Sequence, residues 1–247
     1  MSVTLSTMPG GLLHQFSDAA EAKAVSIAAG SVVAVCAGYG RWLISTRLPA
    51  RRMWRYRDGD RFSLIVASSA QVDTGKYLRP TTGIGQVRAM SLLVPSLTRA
   101  YRKVDLEQVQ LSAVAPGRDL EADLLVLGGA KNNAVTARLL AHLPGLPFTS
   151  SDEAIVWQGV AFEGETSGPN VIRDYGYVVR APNPFAPGRR VVIVAGSHTF
   201  GTVAAARWLV NHGGDRKLPA DVAVLVESEV LNDGHVTAPK AIHQVAL

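Results

Sequence analysis

The chain reads as an α/β protein of Rossmann-like type, a mostly parallel sheet with helices on both faces, an antiparallel insertion and a preceding N-terminal helix. Three observations predict this. Apolar runs of strand length recur along the chain, around Phe62–Val66, Leu124–Leu127, Val191–Val194 and Asp221–Glu227. Such runs, bounded by turn residues, fit strands buried in a sheet. After the first three, glycines introduce segments with helical spacing of apolar residues. The composition supplies a core: 47% of the 247 residues are hydrophobic and 18% charged, which excludes a disordered chain.

The N-terminal part divides by composition. Residues 1–23 are small and polar, with Pro9-Gly10-Gly11, and read as disordered. From Ala24 to Gly40 there is no charged residue, and beyond Arg41 the apolar character continues through Trp42-Leu43-Ile44. Residues 24–45 are therefore predicted as a transmembrane helix at the lower edge of spanning length. The flank that follows carries Arg41, Arg47, Arg51, Arg52, Arg55, Arg57 and Arg61, interleaved with Trp42, Trp54 and Tyr56. Arginines and interfacial aromatics on one side place that side in the cytoplasm. The expectation is a single-pass membrane protein with the bulk of the chain cytoplasmic. The alternative is a soluble cytoplasmic chain whose alanine- and glycine-diluted helix packs on a partner. Residues 46–60 read as a basic linker and 61–247 as the α/β domain.

The net charge of +5 admits an acidic or phosphorylated partner. Outside the arginine cluster nothing points to nucleic acid, so none is expected. A single cysteine, Cys36, excludes an intramolecular disulfide and a cysteine-based zinc site. His14, His142, His212, His235 and His243 have no metal-ligand spacing, and no metal is predicted.

Within the domain, Arg61–Ala67 is the first strand. The loop Ser68–Thr82 is long for a strand-to-helix connection and holds Asp73, Lys76 and Arg79. The sequence Thr82-Gly83-Ile84-Gly85-Gln86 opens a helix to about Tyr101, with a kink expected at Pro95. Val109–Val114 is a second strand and Leu124–Leu127 a third. Gly128-Gly129-Ala130-Lys131-Asn132-Asn133 leads into the helix Ala134–Leu143, capped by Asn132 or Asn133. Ala154–Phe162 and Asp174–Arg180 are expected to pair as the antiparallel insertion.

The central stretch is Arg189–Val210: a buried strand, the turn Gly196-Ser197-His198-Thr199, and a helix entering on Thr199 or Thr202. A last parallel strand, Asp221–Glu227, and a short antiparallel one within Val236–Val245 follow.

Three strand-to-helix junctions thus carry glycines beside polar groups: Thr82, Gly83, Gly85 and Gln86; Gly128, Gly129, Asn132 and Asn133; Gly196, Ser197, His198, Thr199, Gly201 and Thr202. In a parallel sheet they lie at the carboxyl ends of the strands, where open α/β sheets bind ligands. Free N–H groups at helix starts favour an anion there. These residues are the predicted ligand site.

The segments TTGIGQ, LGGAKNN, DYGYVVRAPNPF and AGSHTFGT resemble uncharacterised bacterial Rossmann-like domains. More loosely, the layout from about Phe62 to Val226 is similar to the superfamily of nucleoside deoxyribosyltransferases and lysine-decarboxylase-like phosphoribohydrolases. The resemblance implies a nucleotide or nucleotide derivative in the strand-end crevice. The phosphoribohydrolases' Gly-Thr-x-x-Glu is absent, since Gly201-Thr202 is followed by Val203-Ala204-Ala205. Ligand binding is therefore what carries over.

Cleavage of an N-glycosidic bond would need a carboxylate at the crevice. Asp73, Glu163 and Asp174 are the candidates, with Glu165 beside them and Asp174 held by Arg173 or Arg180. Ser197 and His198 are adjacent and outside any G-x-S-x-G elbow, so His198 reads as a turn residue or ligand contact. Three functions follow: a membrane-tethered domain that binds or senses a nucleotide-like molecule, an enzyme acting on a nucleoside or nucleotide glycosidic bond, and a non-catalytic scaffold. Whether the chain is an enzyme, which cofactor it takes and its oligomeric state stay open at this level.

Overall fold

The computed structural model describes residues 34–69, 71–107, 109–113, 120–151 and 154–247. Two units are separated, one ending at Thr46 and the other spanning Arg47–Leu247. In the first, residues 34–42 are α-helical and lead into a π-helical turn, Leu43–Arg47. Val35, Tyr39, Trp42 and Ile44 are exposed there, with the Tyr39 and Trp42 rings stacked 5.8 Å apart. Among the described residues no helix is long and apolar enough to cross a membrane. Residues 24–33 of the expected span 24–45, and all of 1–23, lie outside the described residues.

The second unit begins earlier than the arginine pattern suggests. Helix α1, Leu48–Trp54, starts with Pro49 in its first turn and stops at Arg55, which adopts a left-handed conformation. Its arginines face outward, but Met53 and Trp54 are buried, and so is Tyr56 just beyond. Trp54 Nε1 donates to Ser96 Oγ (3.0 Å), and Tyr56 OH to the Leu124 carbonyl (2.7 Å). Part of the basic stretch 46–60 is thus core, and these two aromatics are not interfacial anchors.

The main sheet runs in the order β13-β12-β10-β11-β5-β1-β4. Its parallel half comprises β4 (Val109–Leu111), β1 (Phe62–Val66), β5 (Asp123–Leu127) and β11 (Arg190–Gly196). Strand β1 lies inside and β4 outside it, so chain direction across the sheet reverses between β1 and β5. Ligand crevices form at such a reversal. The other half is antiparallel: β10 (Asn170–Pro182), β12 (Val222–Glu229) and β13 (Lys240–Ala246), so the strand expected at Asp221–Glu227 is not parallel to its neighbours. A short β9 (Glu165–Ser167) pairs with the start of β10.

The expected insertion is therefore corrected. Asp174–Arg180 does not pair with Ala154–Phe162; it is the middle of β10, between β11 and β12. Its run Tyr175–Ala181 is buried throughout, which suits a central strand. Ala154–Phe162 is instead a hairpin, β7 (Ala154–Trp157) and β8 (Val160–Glu163), joined by β6 (Phe148–Ser150) in a separate three-stranded sheet.

Helices α2 (Ile84–Ala100) and α4 (Thr199–His212) pack with α1 on one face of the main sheet, against Leu64, Leu125, Val192 and Val224. Helix α3 (Ala134–His142) and the small sheet cover the other face, against Ile65, Val126, Ile193 and Leu225. The two sets alternate along each strand, as the two-residue period requires. Helix α2 continues through Pro95 for another turn. The long first loop contains a hairpin, β2 (Val72–Asp73) and β3 (Leu78–Arg79).

Arg180 is the most buried cation among the described residues, 1% exposed, and its hydrogen bonds go to backbone carbonyls. Its guanidinium donates to the carbonyls of Arg52 (3.1 Å), Met53 (2.8 Å), Gly213 (3.0 Å) and Ala220 (2.8 Å), and to Pro219. The C-terminal ends of α1 and α4 both meet at this cation, where the helix dipole favours positive charge. Burial lowers its pKa to about 10.

Candidate functional site

Strands β1, β5 and β11 end at one edge of the sheet, and the antiparallel β10 begins at that same edge, with Gly176 opposite Gly196. A cleft of about 410 Å³ opens there. It is lined by Gln86 after β1, by Gly129–Asn132 after β5, by Gly196–Thr199 and Thr202 after β11, by Ser150 and Ser151, and by Glu163 and Gly164 at the end of β8.

Local chemistry shapes each turn. Gly128 adopts φ +104°, and a Cβ there would come within 2.6 Å of Ala67 Cβ, so only glycine fits. Asn133 caps α3: its Oδ1 accepts from Val135 N (3.0 Å) and Thr136 N (3.1 Å), and its Nδ2 donates to the Leu127 carbonyl (3.0 Å). Thr82 Oγ1 donates to the Ala67 carbonyl (2.8 Å) and pins the start of α2 to the end of β1. Gly85 lets α2 pass the Thr199 carbonyl, 2.4 Å from where a Cβ would sit.

The third turn is the tightest. A Cβ on Gly201 would lie 2.0 Å from the Tyr175 carbonyl, one on Gly176 2.1 Å from the Gly201 carbonyl, and one on Gly196 2.4 Å from Thr202 N. The first turn of α4 therefore rests on bare backbone of β10 and β11. Asp174, fully buried, closes that turn. Its carboxylate accepts from Tyr175 N (2.8 Å), His198 N (3.2 Å), Gly201 N (2.5 Å) and Ser197 Oγ (2.8 Å). The protein's own carboxylate thus sits where the sequence expects a ligand anion.

Of the residues expected at the site, Gln86, Gly129, Asn132, Gly196, Ser197, His198, Thr199 and Thr202 line the cleft. Thr82, Gly83, Gly85, Gly128, Asn133 and Gly201 lie behind it and build the turns. The three carboxylates separate. Glu163 lines the cleft. Asp174 is underneath it, bound by amides and neither by Arg173, which pairs with Glu165 (2.8 Å), nor by Arg180, at the other end of the strand segment. Asp73 is exposed on the β2–β3 hairpin, where its Oδ1 accepts from Gly75 N (2.7 Å) in a turn.

Ser197 and His198 do not form a nucleophile–base pair, because the serine hydroxyl donates to Asp174. His198 Nδ1 stands 3.5 Å from the same Asp174 oxygen, and a Cβ on Gly164 would meet that nitrogen at 2.3 Å. The imidazole is thereby fixed between a carboxylate and a bare glycine.

Sequence reasoning missed Ala130, Lys131, Ser150, Ser151 and Gly164. Ala130 and Lys131 stood inside the second glycine turn and were legible there. The others come from the small sheet, and no local pattern announces that it folds over the cleft. Behind the wall, burial raises the Tyr177 phenol well above its usual pKa, and burial followed by the nearby Glu227 raises Tyr175. Among the described residues no group of three or more histidine, cysteine, aspartate or glutamate side chains could hold a metal.

Set against known protein families and curated proteins, the chain matches none.

Proposed function

We propose that the Arg47–Leu247 unit binds a nucleotide-like small molecule in this cleft, and that the apolar stretch 24–45 tethers it to a membrane with the bulk of the chain in the cytoplasm. The observation that carries the ligand reading is the convergence of three strand-to-helix turns and the β8 end on one polar cleft of about 410 Å³. That location is where open α/β sheets take their ligands. The apolar run and its arginine flank support the tether, as do the exposed Val35, Tyr39 and Trp42.

Thermal unfolding of the full-length protein against AMP, ADP, NAD and ADP-ribose tests the binding. A ligand at a hundred times its Kd stabilises by about 2.7 kcal/mol. No shift across the panel in a folded protein moves the reading to a non-catalytic scaffold. Alkaline carbonate extraction of cell membranes tests the tether: retention in the pellet supports it, and release into the supernatant overturns it.

Glu163 favours a second reading, hydrolysis or transfer of a nucleoside N-glycosidic bond, because it is the candidate carboxylate that faces the cleft. Release of free base, lost in Glu163→Gln with binding retained, would establish it.

A further inference from the structure

Building on the cleft as a ligand site, we infer that it recognises the hydroxyl groups of a ribose-type sugar, and that neither a phosphate nor a nucleobase is the anchoring group. Three observations lead there.

First, two of the three helix starts around the cleft are occupied from within. Asp174 takes the His198 and Gly201 amides of α4, and Asn133 takes the Val135 and Thr136 amides of α3. At α2 no side chain caps the first turn, and the Gln86 side-chain oxygen Oε1 lies beside Gly83, 2.6 Å from where a Cβ would be. An arriving phosphate meets the α3 and α4 ends already taken by Asn133 and Asp174. Among the described lining residues Lys131 is the one lysine or arginine and Glu163 the one carboxylate.

Second, the described lining contains no phenylalanine, tyrosine, tryptophan, leucine, isoleucine, valine or methionine. Bases are held largely by stacking and apolar contact, and this cleft offers no such platform.

Third, what the walls do offer suits vicinal hydroxyls: the acceptor-only carboxylate of Glu163 and the two-way groups of Ser150, Gln86 and Thr199. The fully buried Tyr177 hydroxyl comes near Ser150 from behind, yet no group among the described residues meets it at hydrogen-bond geometry.

The test is calorimetric titration of the full-length protein with AMP, adenosine, ribose 5-phosphate and 2′,3′-dideoxy-AMP. Adenosine and ribose 5-phosphate should bind within about fivefold of AMP. The dideoxy compound should bind at least about tenfold more weakly, as expected for losing a hydrogen bond to a charged acceptor. Glu163→Gln should shrink that gap to about threefold or less while the unfolding temperature holds, because the residue is exposed at a strand end. Dideoxy-AMP binding as well as AMP, or a loss of about tenfold on removing phosphate or base, overturns the inference and leaves the nucleotide-binding reading standing. If none of the four binds, that underlying reading falls as well.

Discussion

Replacing Arg180 with methionine removes five hydrogen bonds at once and keeps most of the apolar stem. The guanidinium joins carbonyls at the ends of α1 and α4 and in the 219–220 turn. Hydrogen bonds to charged groups contribute about 1.5–3 kcal/mol each, offset by the several kcal/mol needed to bury the cation. The remaining cost is that of buried carbonyls left without a donor. A net loss of about 3–5 kcal/mol follows, a large share of the roughly 5–15 kcal/mol typical of a domain. Urea denaturation of the full-length protein measures it. With a slope of about 1–3 kcal/mol/M, the midpoint should fall by roughly 2 M. Amide exchange adds the location: residues 48–54 and 213–220 should lose protection first. Arg180→Lys should lie between wild type and methionine, since one ammonium cannot span five acceptors. A loss below about 1 kcal/mol, or an exchange increase spread evenly over the sheet, would refute the clamp.

Three further perturbations test the same structure. Asp174→Ala strips the cap from α4 and should cost about 2–3 kcal/mol in chemical denaturation, while Asp73→Ala, on an exposed turn, should stay within about 0.5 kcal/mol. Gly201→Ala drives a methyl group into the Tyr175 carbonyl and should lower the unfolding temperature steeply. Gly129→Ala meets nothing closer than 3.4 Å, so it should leave that temperature in place and report on the cleft alone. Burial raises the phenols of Tyr56, Tyr177 and Tyr101, the last to about 12, above the unfolded value near 10. The folded state then holds protons that the unfolded state releases, so stability is intact below pH 10 and falls as pH rises from 10 toward 12. Phenolate absorbance at 295 nm should rise for these residues together with unfolding; ordinary titration near pH 10 in folded protein would contradict their burial.

The parallel half of the sheet was legible because its strands announce themselves. Phe62–Val66, Leu124–Leu127 and Val191–Val194 are short and β-branched or leucine-rich, and the last two run into glycine turns. The cap of α3 was narrowed to Asn132 or Asn133, and Asn133 makes it. What local pattern could not supply was pairing. Asp174–Arg180 reads as a strand in isolation, but whether it joins Trp157 or Val194 depends on contacts distant in sequence. The arginine flank misled for a related reason. Charged side chains at Arg51, Arg52 and Arg55 say nothing of the buried face of the same helix, where Met53 and Trp54 enter the core. At the site, the glycines were located but their cause was not. Gly201 and Gly85 are small because backbone passes against them, and the anion drawn to the α4 start is supplied by a strand that the sequence placed elsewhere.

Asp174 and Arg180 belong to one strand and close the two ends of one helix. The carboxylate holds the N-terminus of α4, and the guanidinium takes the Gly213 carbonyl at its C-terminus. From Asp174 to Arg180 the strand advances about 20 Å, and the 14 residues of α4 rise about 21 Å. The helix is cut to the measure of the strand beneath it. Deleting one residue from α4 would turn its last turn by about 100° and pull Gly213 away from the cation. Deleting one from β10 would send Asp174 or Arg180 to the opposite face of the sheet. In chains that share this arrangement the lengths of the two elements must therefore change together or not at all.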